Sequence, residues 1–171
     1  MEPGNQSLLD SEEWKTAVAG KRSFYGKIAR RLAPEDVAPL LEVLEAGPPE
    51  ERRLAMYLLY RAVIQKILFS QKQKERLIAR VRPMMAAYPH QPGPDAFCLI
   101  FRVAPDIAEQ FLLDDVDVAR ISERNLASYL WDVAKIESPM AMDRLKRYSY
   151  REGKIGEKAT KLLALLGRGS D

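Results

Sequence analysis

The chain has 171 residues, 47% apolar and 30% charged, with 27 basic side chains against 24 acidic ones. That length suits one domain burying about 70% of its unfolded surface, and that composition excludes a disordered or fibrous chain. Leu and Ala number 21 and 20, whereas Val, Ile and Thr together number 20, so helix formers outweigh strand formers and the composition favours helices over a sheet.

No apolar run approaches the ~20 residues that span a bilayer, and the first ten residues lack the basic start and hydrophobic stretch of a secretion signal. The chain is therefore expected to have no membrane partner. The lone Cys98 has no disulfide partner, and one cysteine with one histidine leaves no zinc ligand set. A cytoplasmic protein without a cofactor is the expectation. Residues 1–10 read as a flexible N-terminus, 11–168 as a single all-α domain and 169–171 as a tail.

Punctuation marks the helices in chain order. Asp10 and Glu13 have capping-box spacing before a first helix over 11–19, which Gly20 closes. A second helix over 21–32 carries five bases and no acid. Pro34, Pro49, Pro94, Pro105 and Pro139 each open an apolar-periodic stretch, four of them followed directly by Glu or Asp, as suits the first turn of a helix. They start helices over 35–46, 49–69, 94–104, 105–113 and 139–148, the first of these closed by Gly47. Further helices are expected over 72–87, 120–136 and 154–167, the last closed by Gly167. Leu54 to Phe69 is apolar around most of its circumference, which predicts a central helix. Leu54, Leu58, Ile64, Leu77, Val81, Leu130 and Leu162 are the expected core.

About ten short helices joined by two- to five-residue connections predict antiparallel hairpins. The stretch Asp36-Val37-Ala38-Pro39-Leu40-Leu41, then Gly47-Pro48-Pro49-Glu50-Glu51-Arg52-Arg53-Leu54-Ala55, resembles a HEAT-type repeat. Pro39 falls in the opening turn of one helix, and Arg52, Ala55 and Leu59 stand at the places the pattern reserves on the next. Glu51 replaces its usual Val. Weaker echoes lie at 124–130 and 158–166. The resemblance implies helix hairpins stacked as an α-solenoid; a compact irregular helical bundle is the structural alternative.

The candidate chemistry is sparse. His90, in the loop Tyr88-Pro89-His90-Gln91-Pro92-Gly93-Pro94, has no nucleophile motif beside it and reads as a solvated loop residue. Cys98 lies among Phe97, Leu99 and Phe101 and reads as a small buried hydrophobe. Asp114-Asp115-Val116-Asp117 lacks the glycine and closing Glu of a calcium loop. No enzymatic constellation emerges.

Two groups of residues stand out. Lys72, Arg76 and Arg80 flank one apolar stripe at i, i+4, i+8, and Lys154, Lys158 and Lys161 form a second row opposite the last helix's core face. Between the last two helices, Arg147, Tyr148, Tyr150 and Arg151 interleave bases with aromatics. Such residues can neutralise phosphates and stack on unpaired bases, which makes a nucleic-acid-binding module one reading. Trp131-Asp132 is the second group. Its residue types resemble the acid and aromatics of HEAT-like DNA glycosylases, which excise alkylated bases. The expectation that best fits the whole chain is a non-catalytic helical-repeat module for another protein: an adaptor, a regulatory subunit or a toxin-neutralising immunity protein.

Overall fold

The structure, a computed structural model, describes residues 7–167. Most of the expected flexible N-terminus and the whole 169–171 tail lie outside the described residues, although Leu8–Asp10 form a 3-10 turn. The described residues are all-α, with ten α-helices and no strand. The chain divides into two compact units, Met1–Pro83 and Met84–Asp171. No linker announces this division. In the sequence the apolar positions Leu77, Ile78, Val81, Met84, Met85 and Tyr88 keep one helical stripe through this point, and only a change from α-helix to a 3-10 segment at Arg82–Ala87 marks the place.

The first unit holds α1 (Glu12–Val18), α2 (Tyr25–Ala29), α3 (Val37–Ala46), α4 (Pro49–Ile64) and α5 (Gln71–Val81). Ser11, rather than Asp10, caps α1: its hydroxyl accepts from the Trp14 amide at 3.1 Å. The hairpin of α3 and α4 carries the sequence resemblance. Its corner is tight, because a Cβ on Gly47 would meet the Val43 carbonyl oxygen at 2.6 Å. Gly47 is thus required for close approach; its φ of −71° is not left-handed. The Arg52 Nε closes the same corner by donating to the Gly47 carbonyl.

Helix α4 is central to its unit, touching α1, α2 and α3. Leu54, Leu58 and Leu59 are fully buried. The expectation of a helix to 69 fails at its end. Lys66 takes φ 61°, its amide reaching the Val63 carbonyl while the Ile67 amide reaches Ala62, which is a Schellman closure without glycine. Helix α4 therefore stops at Ile64, and Ile64, expected in the core, is 42% exposed. The other six expected core residues are buried.

The second unit holds α6 (Gly93–Val103), α7 (Pro105–Gln110) with a π-helical turn over Phe111–Asp115, α8 (Glu123–Ile136), α9 (Pro139–Ser149) and α10 (Lys154–Gly167). Ser122 caps α8 and Ser138 caps α9, their hydroxyls accepting from Asn125 and Ala141 amides. Helices α8, α9 and α10 pack on one another. Tyr129 lies fully buried among them and donates to the Leu112 carbonyl at 3.2 Å. Arg144 ties α9 to the π-turn, one guanidinium nitrogen on the Tyr129 hydroxyl and another on the Leu113 carbonyl.

Candidate functional site

The two basic rows have different surroundings. On α5, Arg76 makes a two-pronged pair with Glu45 of α3, Nε to Oε1 at 2.9 Å and Nη2 to Oε2 at 2.7 Å. This hydrogen bond holds the Glu45 carboxyl below its usual value and raises the Arg76 guanidinium. Arg80 donates to the Leu44 carbonyl at 3.2 Å. Both bonds fasten α5 to α3 inside the first unit. Lys72 is exposed.

The row on α10 differs. Among the described residues no carboxylate pairs with Lys154, Lys158 or Lys161. The row sits one position before the buried stripe Ile155, Ala159 and Leu162, so it lies about 100° round the helix, flanking the core face rather than opposite it. This rotation turns Lys158 toward α8, where its ammonium lies 5.0 Å from the centre of the Trp131 ring. Trp131 is 46% exposed and Leu165, one turn beyond Lys161, is 57% exposed. The α8–α10 face thus joins an indole, three lysines and an aliphatic side chain.

The aromatic–basic stretch after α9 separates into different roles. Tyr148 is half-buried, packing edge-on against Tyr129 at 6.4 Å with the Arg151 guanidinium 5.4 Å from its ring centre. Tyr150 projects outward, 87% exposed, and Arg147 is exposed. At this turn an open depression of about 370 Å³ is lined by Arg151, Gly153, Thr160 and Lys161, among others.

Neighbours in sequence, Trp131 and Asp132 point apart. Asp132 is buried, accepting from the Tyr88 hydroxyl at 2.8 Å and from the Lys135 ammonium at 2.8 Å. Burial, then the Asp132 charge, pushes the Tyr88 hydroxyl well above its usual range. The pairing of acid and aromatic that resembles a glycosylase does not form one site here: Asp132 is engaged inside the unit while Trp131 faces out. Lys135 at i+3 was legible in the sequence; Tyr88, far away in the chain, was not.

The remaining candidates are unremarkable in position. His90, Asp114, Asp115 and Asp117 are exposed. Cys98, expected to be buried, is half-buried, and burial raises its thiol. Among the described residues no three His, Cys, Asp or Glu side chains gather to hold a metal ion, and no helix is long and apolar enough to cross a membrane. Comparison with family models, with curated proteins and with solved structures finds no match.

Proposed function

We propose that the chain is a non-catalytic helical binding module for another protein, acting in the cytoplasm and engaging its partner through the α8–α10 face. The observation that carries this reading is Trp131, nearly half exposed beneath the Lys158 ammonium, with unpaired lysines on either side of Lys158 along α10 and Leu165 exposed two turns beyond it. An indole left nearly half exposed presents apolar area that its own unit does not cover, and Trp beside polar residues is the type of anchor that dominates protein interfaces. The HEAT-type resemblance of the α3–α4 hairpin supports the same reading, because stacked hairpins serve chiefly as scaffolds for partner surfaces. The acid that catalysis would draw on, Asp132, already has two partners.

The test is affinity capture from native lysate with the intact chain and with Trp131→Ala, each with and without nuclease, followed by mass spectrometry. A protein retained through nuclease treatment and lost with Trp131→Ala is the expected result. Capture that vanishes with nuclease overturns the reading in favour of nucleic acid.

A further inference from the structure

The chemistry of the face restricts what it accepts. Lys154, Lys158 and Lys161 follow i, i+4, i+7, a row about 10 Å long over two helical turns. Trp131 lies level with the middle lysine, and Leu165 continues the row at i+11. The complement is a second helix with carboxylates at the same spacing and an apolar side chain beside them. Helices packed at a shallow angle keep such rows aligned over a few turns.

Three observations favour such a segment over a nucleic acid. The second unit carries 12 basic and 13 acidic side chains, so it exerts no long-range attraction on a polyanion. Leu165 adds apolar area that a protein side chain covers and a sugar–phosphate backbone does not. The Lys158 ammonium also covers one side of the indole, leaving less of it for a base to stack on.

We infer that the α8–α10 face docks an acidic amphipathic helix of the partner, its carboxylates meeting Lys154, Lys158 and Lys161 and its apolar side packing on Trp131 and Leu165. This inference rests on the protein-partner reading above and names the chemistry of that partner.

The experiment is fluorescence anisotropy with the full chain and three labelled probes. One is a synthetic helix of about 20 residues with Glu at i, i+4, i+7 and Leu beside them. The second is the same composition scrambled, and the third is a single-stranded oligonucleotide of similar length. Expected is binding of the patterned helix, about fivefold weaker for the scrambled peptide. Lys154→Glu with Lys158→Glu and Lys161→Glu should weaken it at least tenfold, or about 1.4 kcal/mol, and Trp131→Ala about fivefold, with helical content unchanged by circular dichroism. Single Lys158→Glu should weaken it as well, which covers any loss of folding in the triple variant. Equal binding of the two peptides, no binding of either, or affinity untouched by the lysine changes overturns the inference; if Trp131-dependent capture of a protein persists, the function reading stands without it. Tighter binding of the oligonucleotide overturns both.

Discussion

Lys72, Arg76 and Arg80 on α5 and Lys154, Lys158 and Lys161 on α10 follow nearly the same spacing, and in both helices the row flanks a buried apolar stripe. In the first unit a carboxylate and a carbonyl of α3 stand opposite the row, and two arginines close onto them. In the second, the neighbour across from Lys158 is an indole, and the lysines keep their charge available. Residue type matches the difference. The planar guanidinium of Arg76 fits the two oxygens of Glu45, whereas a lysine is a mobile point charge suited to a partner not yet present. A basic row read from sequence therefore names a helix face; what lies across from it decides whether the row is structural or functional.

The largest effect belongs to the cores on which both rows rest. Leu58→Ala in the first unit and Leu130→Ala in the second should each cost about 2–5 kcal/mol in a urea titration, because each leaves a cavity in a fully buried position. A loss under about 1 kcal/mol for Leu58→Ala contradicts the central placement of α4. Next comes the Asp132 network. Asp132→Ala leaves the Tyr88 hydroxyl without its acceptor and should cost about 1–3 kcal/mol, with Tyr88→Phe costing less.

A smaller effect separates the rows directly. Arg76→Gln should lower the melting temperature at neutral pH, because the pair with Glu45 is lost. Since the folded-state carboxyl of Glu45 lies below 4.5, its contribution is present above that value and disappears as pH falls through the lowered one. The gap between the parent and Arg76→Gln should therefore close in acid, and narrow in high salt as well. A gap that persists at low pH means that Arg76 acts through packing rather than through Glu45. The smallest effect is expected on α10, where replacing the three lysines with Gln should change stability by no more than about 0.5 kcal/mol.

The all-α class and nearly every helix were legible because proline starts and apolar periodicity are local signals. Pro49 with Glu50 and Glu51 marks the start of α4, and Ile155, Ala159 and Leu162 mark the buried side of α10. The end of α4 was not legible: Lys66 adopts the left-handed closure usually left to glycine, and no side chain announces it. The boundary between units was hidden by a stripe that continues through it. Of the candidate site, the sequence identified Trp131 and the α10 row separately. It did not join them, because the contact depends on how α10 is rotated against α8. It also grouped Trp131 with Asp132, although neighbours on a helix point about 100° apart and one of the two is turned into the core.

Melting temperature and affinity for the patterned acidic helix, measured side by side, distinguish a binding face on α10 from a row on α5 that holds the fold together. The variants are the α10 triple Lys154→Glu, Lys158→Glu, Lys161→Glu and the α5 double Arg76→Glu, Arg80→Glu. The triple variant should melt with the parent and lose at least tenfold in affinity, and the double variant should melt earlier with affinity intact. The opposite pattern, binding lost with the α5 residues and stability lost with the α10 lysines, would place the binding face on α5 instead.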